Sequence, residues 1–463
     1  MWVGSKVSNT LHSPGASARQ FAVRLIRPAT PALALCVAVT LGTVPGKAEE
    51  PPHRRSGAEG PRIDRGVERP VLHRRACSYR VPVCVHGDGA REVLDGLDAA
   101  ERMYEALTLA LDVPAPDPDL ATGKLEVYLT ATPVADAPLG TRAFWSDIDR
   151  ASAFVRVPRS LSRGCTLDTA MAEGLSLAAA RRSAPAMDDA TREGMARTLA
   201  QLAAGCPDGQ RLAEAQVFAS HPEVSWMTGF ASGEGPSGAV YNHASTGFFQ
   251  WLDRHYGAAP GRLMRMIWAF APTKTPADSP RWVNEPDAFD VLGESLKDVR
   301  FTGSKLEDVL VDYAVERAFM GRGDPRFVDA EAPAPTIDWS IPWPEKARRL
   351  LSSRPIAQHG VSYVLVDHRG APKGSRLRLE AEWEYEARIR WVCVKLDENF
   401  REKARISVGT PERATEAQMS LANLDDTAQI LLVGVNLGDP KFPYDPDEIV
   451  AEPHAWLLSL QAE

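Results

Sequence analysis

Near residue 340 the apolar residues change their spacing, and that change divides the chain. Between Arg91 and Asp112, Val93, Leu94, Leu97, Ala100, Tyr104, Leu107 and Leu111 fall on one stripe at helical spacing. Beyond about 346 the period is two. Leu377, Leu379, Ala381, Trp383 and Tyr385 alternate with Arg378, Glu380, Glu382 and Glu384, and Ile389, Trp391 and Cys393 continue the pattern. A helical pattern does not serve as a strand, nor a strand pattern as a helix. The chain is therefore expected to be α+β and multidomain, a mainly helical domain with a small sheet followed by an antiparallel β-sandwich.

Punctuation places the boundaries. Pro114, Pro116 and Pro118 stop the first helix, and Lys124–Thr130 and Ala153–Val157 read as strands. Helices are expected over 166–182, 188–204 (stopped by Gly205), 241–257, 262–271, 288–296 and 305–320. The run Asp329-Ala-Glu-Ala-Pro-Ala-Pro-Thr336, followed by Trp339, Pro342, Trp343 and Pro344, reads as the end of the first domain and a linker. The expected domains are 76–335 and 346–463, joined by a linker over 336–345. Strand-like runs at 361–367 and 429–436 belong to the second.

The first 48 residues carry Lys6, Arg19, Arg24, Arg27 and Lys47, no acid, and the apolar run Pro31–Val44 before Gly46-Lys47-Ala48. This is the pattern of an export signal with small residues at its cleavage point, and the run is too short to span a bilayer. No integral span is expected after cleavage, and the location is periplasmic or extracellular. Residues 49–75, rich in Arg, Pro and Gly, read as a disordered linker. The formal charge is −8 although the signal is basic, which discourages a nucleic-acid partner. An oxidising compartment permits disulfides. Cys77 and Cys84 suit a bridge closing a short hairpin or loop, Cys165 and Cys206 one that staples two helices, and Cys393 reads as a buried thiol.

The chemistry concentrates on the helix over 166–182, which contains Ala172-Glu173-Gly174-Leu175-Ser176. A His-Glu-x-x-His zinc site needs imidazoles at i and i+4, a Glu at i+1 to take a proton from the bound water, and a further carboxylate. Glu173 stands at the general-base position, and Glu193, in Thr191-Arg-Glu-Gly-Met-Ala-Arg197, stands where the third ligand would be. Ala172 and Ser176 stand where the imidazoles would be, and neither is a zinc ligand.

The order of helix, strand Glu-Val-Tyr-Leu, edge strand, this helix, the Glu-Gly-x-Ala helix and Tyr241-x-x-x-x-x-x-Phe-Phe-x-Trp-Leu-x-x-x-Tyr-Gly257 resembles secreted gluzincin metallopeptidases with a C-terminal β domain. The likeness covers roughly 90–440. It implies a thermolysin-like fold with a cleft, zinc in the active relatives and peptide hydrolysis. It also places Tyr241 and His243 near that cleft, where a Tyr or His stabilises the oxyanion. With both imidazole positions replaced, no metal is expected and hydrolysis by the family mechanism should be lost.

The plainer reading of Ala172, Leu175, Ser176 and Ala179 is a small-residue face for close helix packing. That of Glu173 and Glu193 is a pair of acids satisfied by Arg181, Arg192 or Arg197. Asp168 is expected to cap its helix, and His255-Tyr256-Gly257 to end another. Ser176 lacks the positioned base that a serine nucleophile needs. The leading functional expectation is an exported, catalytically inactive peptidase-like protein that binds a peptide or cell-envelope ligand. The alternatives are a hydrolase with a rebuilt site using Glu173, Glu193 and His243, and a structural or adhesive surface protein.

Overall fold

The computed structural model describes residues 68–141, 148–206, 212–226, 245–272, 274–276, 278–279, 281–298, 303–322, 333–408, 414–439, 444–445 and 452–463. The signal segment, residues 49–67 of the expected linker, and Tyr241 and His243 lie outside them; the rest of that linker, 68–75, is described, and its last two residues, Arg74 and Arg75, already belong to a strand rather than to a disordered segment. Arg55–Glu463 forms one compact unit.

The unit begins with a five-stranded sheet. Strands β1 (Arg74–Cys77), β2 (Val83–Gly87), β3 (Leu125–Thr130), β4 (Ala135–Thr141) and β5 (Ala151–Pro158) stand in the order β1-β2-β3-β5-β4. The β2–β3 and β3–β5 pairs are parallel, and β1 and β4 are antiparallel edges. Helix α1 (Ala90–Glu105) supplies the crossover that the parallel β2–β3 pair requires. It runs on into a π-helical turn, Ala106–Ala110.

Two helices cover this sheet. Helix α2 (Cys165–Ser183) starts after Gly164, whose φ of 119° only glycine adopts readily. It lies so close on β5 that a Cβ on Gly174 would meet Val155 Cγ1 at 2.2 Å. Helix α3 (Asp189–Ala204) runs back along it, and Cys165–Cys206 ties the start of the first to the end of the second. Cys77 and Cys84 are directly facing residues of the β1–β2 hairpin and form the second bridge. Cys393 is free and buried. Helices α4 (Leu212–Ser220), α5 (Thr246–Tyr256), α6 (Arg262–Phe270), α7 (Ala288–Lys297) and α8 (Leu306–Arg317) complete the helical part. Among the described residues no helix is long and apolar enough to cross a membrane.

The C-terminal strands are β6 (Trp339–Pro342), β7 (Arg348–Leu351), β8 (Val361–Asp367), β9 (Leu377–Trp383), β10 (Ile389–Leu396), β11 (Glu402–Ser407), β12 (Glu416–Leu421), β13 (Gln429–Asn436) and β14 (Trp456–Ala462). They make two sheets, β11-β10-β13-β8-β6 and β12-β9-β14-β7. Val364, Trp391, Ile430 and Leu432 of the first pack on Leu379, Ala381, Trp456 and Leu458 of the second. Trp391 and Trp456 meet edge to face at 5.3 Å. The layered α+β architecture with sandwich-like sheets agrees with the expectation.

Three details differ from it. The span 336–345, expected to be a linker, contains β6, which pairs in parallel with β8. The sandwich therefore starts before 346 and is not wholly antiparallel. Asp168 does not cap α2; Gly164 holds the N-cap, and Asp168 accepts from Arg102 Nη2 of α1 at 2.6 Å.

The opposite face of the five-stranded β10 sheet is also buried. Val361, Tyr363, Val392, Val394, Leu431 and Val433 share one core with the helices. Tyr363 Oη donates to the Ala314 carbonyl of α8 at 2.8 Å. Along the same seam Arg388 pairs with Glu307, Arg390 with Asp308 and Arg405 with Asp312.

Candidate functional site

Residues four apart on a helix share a face. On α2 the shared face of Ala172 and Ser176 is fully buried, both residues being 0% exposed. Ala172 and Leu175 belong to the main core. Ser176 Oγ makes no hydrogen bond among the described residues. The positions that would hold two imidazoles are therefore occupied by packing.

Glu173 lies one residue round the helix and points to α3. Arg197 Nε donates to its Oε1 at 2.9 Å, with both side chains nearly buried. Glu193 is four residues before Arg197, so it shares that face of α3. Glu173 thus borders the α2–α3 seam with a guanidinium on it, and Glu193 lies on the same face of α3 as that arginine. The small residues around them have packing causes. A Cβ on Gly194 would meet Ser245 Oγ at 2.3 Å and Phe249 Cδ2 at 2.8 Å, so the Glu-Gly-x-Ala glycine admits α5.

Of the three arginines expected to serve the glutamates, Arg197 alone takes Glu173. Arg181 Nε donates to Asp136 of β4 at 2.6 Å, and Arg192 Nη2 pairs with Asp189 at 2.7 Å and approaches Asp136 at 3.9 Å. The Glu193 charge acts on Arg192 as well, raising its basicity together with the nearby aspartates. Burial would raise the Asp136 carboxyl, but Arg192 and Arg181 outweigh it and hold the group below the usual range.

Two further acids stand at helix starts. Asp188 caps α3 by accepting from the Thr191 amide, and burial pushes its carboxyl up to about 6. Asp287 caps α7 by accepting from the Phe289 and Asp290 amides, and burial pushes it up to about 8, with the Asp188 charge adding to the rise. The capping signal was legible at both positions; their proximity, a tertiary effect, was not.

The other histidines serve the structure. His86 Nε2 contacts Glu126 Oε2 at 2.5 Å and stacks on Tyr128. His221 lies beside Glu223, which Arg354 also engages. His255 Nδ1 approaches the Trp251 carbonyl in the last turn of α5, which ends before Gly257 as expected. Among the described residues no group of three or more His, Cys, Asp or Glu side chains is placed to hold a metal ion. A buried methyl, a buried hydroxyl and a glutamate engaged by arginine do not fit zinc.

No family model matches the chain, and no curated protein matches it. Among solved structures it is similar to the pre-peptidase C-terminal domain of a collagenase from Bacillus anthracis, at 8% identity over 27% of this chain and 97% of that one. The TM-score is 0.19, and a likeness of that size carries no argument.

Proposed function

We propose that this is an exported, catalytically silent peptidase-like protein that acts by binding a peptide or a cell-envelope ligand. The observation that carries the silent half is the Glu173–Arg197 pair beside a packed Ala172–Ser176 face. A general base needs a free lone pair aimed at an activated water. Here one oxygen of the carboxylate, Oε1, accepts from a guanidinium, and the side chains next to it offer no ligand. The apolar leader and the two disulfides support export. The gluzincin resemblance, resting on the order of the motifs, supplies the expectation of a binding cleft.

The test is the full chain secreted from its own leader and purified without chelators. N-terminal sequencing should begin after Ala48, metal analysis should find no stoichiometric zinc, and a peptide library should remain uncut. Retention on peptide arrays or isolated envelope fractions should be saturable. Stoichiometric zinc, or hydrolysis that Glu173→Gln abolishes, overturns the silent half. Absence of retention on every array and envelope fraction overturns the binding half.

A further inference from the structure

The β1–β2 hairpin carries chemistry that the proposed function does not use. Cys84 is 0% exposed, whereas Cys77 at the other end of the bridge is only half-buried. Cys77 is therefore the more accessible end of the bridge for an external thiol. On the far side, Arg75 Nη2 lies 3.2 Å from Cys84 Sγ and also donates to Glu126 Oε1 at 2.8 Å. A guanidinium at that distance favours a thiolate, in opposition to the burial of Cys84 and to the Glu126 carboxylate that shares the same guanidinium.

The loop has ties besides the bridge. Ser78 Oγ donates to Glu101 at 2.5 Å and accepts from the Arg80 and Val81 amides. Lys124 Nζ donates to the Ser78 carbonyl at 3.1 Å, and Arg80 Nη2 donates to Glu105 at 2.7 Å. Strands β1 and β2 remain paired over Arg74–Cys77 and Cys84–Gly87.

The geometry points to Cys77–Cys84 as a thiol–disulfide exchange site, attacked at Cys77 by a dithiol reductant with Cys84 leaving as a thiolate beside Arg75. In the first step a reductant thiolate forms a bond to Cys77 Sγ, the Cys77–Cys84 bond breaks, and its electron pair goes to Cys84 Sγ. In the second, the reductant's other thiol, deprotonated, attacks its own sulfur in the mixed disulfide and expels the Cys77 thiolate. The reductant ends as a disulfide, and the hairpin gains two electrons and two protons. A better-stabilised leaving thiolate departs faster.

The experiment treats the full chain with graded dithiothreitol under native conditions, then applies acid quenching, alkylation and mass spectrometry of the Cys77 and Cys84 peptides. The expected result is opening of this pair with circular dichroism and tryptophan fluorescence unchanged. With glutathione in place of dithiothreitol, the adduct should sit on Cys77. Arg75→Gln should slow opening measurably, because a less acidic Cys84 thiol leaves more slowly, and Arg75→Lys should restore most of the rate. The inference is overturned if the pair opens only as the protein unfolds, if the adduct sits on Cys84, or if Arg75→Gln opens as fast as the native chain.

Discussion

Arg197 donates to Glu173 at 2.9 Å across the seam between α2 and α3. Removing the cation from a nearly buried pair leaves a carboxylate without its partner. Arg197→Met should therefore destabilise the fold by about 3 kcal/mol in urea denaturation. Glu173→Gln in the Arg197→Met background should recover much of that loss. If the two single changes simply add, the pair is not coupled and this account of the seam fails.

Ala172→His and Ser176→His together separate a packed face from a dormant metal site. Both positions are fully buried, so two imidazoles should overpack the core at about 1–3 kcal/mol each and lower the melting temperature without binding zinc. One equivalent of zinc together with raised stability would mean that the face opens onto a cleft.

The close helix approaches give a sharper steric test. Gly194→Ala should destabilise by about 1–3 kcal/mol, since Ser245 and Phe249 must both move to admit a methyl. Gly123→Ala meets no atom within 4 Å but sits at a φ of 66°, so its smaller loss would come from backbone strain alone. Calorimetry should rank the first above the second.

Three groups with large shifts should make stability depend on pH. The Asp287 and Asp188 carboxyls are raised from 3.8 to about 8 and about 6, so the stability they add is complete below about pH 3.8 and is lost as pH rises through those values. His359 is lowered by burial from 6.5 to about 3, so its contribution is complete above 6.5 and falls away as pH drops towards 3. Between pH 6.5 and 8 Asp287 acts almost alone, with a slope of about 1.4 kcal/mol per pH unit at most. Asp287→Asn, which keeps an oxygen for the cap, should flatten that window in denaturation curves. His359 stands at a φ of 63° among Trp226, Phe289 and Tyr444, and Asn tolerates that backbone. His359→Asn should weaken the acid limb.

The two bridges should contribute unequally. Cys165–Cys206 spans a sequence separation of 41 and Cys77–Cys84 one of 7. Loop-closure entropy assigns them about 4 and about 2.5 kcal/mol. Paired Cys→Ser variants measured by urea denaturation should fall in that order.

What was legible in the sequence follows from how many faces each element hides. Leu377–Trp383 alternates cleanly because its sheet has one face in solvent, and its period of two was readable at once. Gln429–Asn436 is buried almost throughout, so its apolar run carries no face information. Pro342 and Pro344 disguised β6, and Pro138 with Gly140 disguised β4; both are edge strands, where a missing amide is tolerated. At the candidate site the small-residue face was legible because it depends on neighbours at helical spacing, whereas which of Arg181, Arg192 and Arg197 takes Glu173 is a contact between two helices that no local pattern encodes. The paired burial of Asp188 and Asp287 joins residues about a hundred positions apart, and no local pattern encodes it.

The β10 sheet, covered by the sandwich on one side and by α8 on the other, also decides how the chain can be divided. Cutting at 346 would bare Val361, Tyr363, Val392, Val394, Leu431 and Val433 to water and remove the strand that closes the sheet's edge. The segment from 346 onward is therefore not a cassette that recombination can lift out and attach elsewhere. A gene fusion that keeps that segment without the helices, or the helices without it, inherits a sticky surface in place of a module.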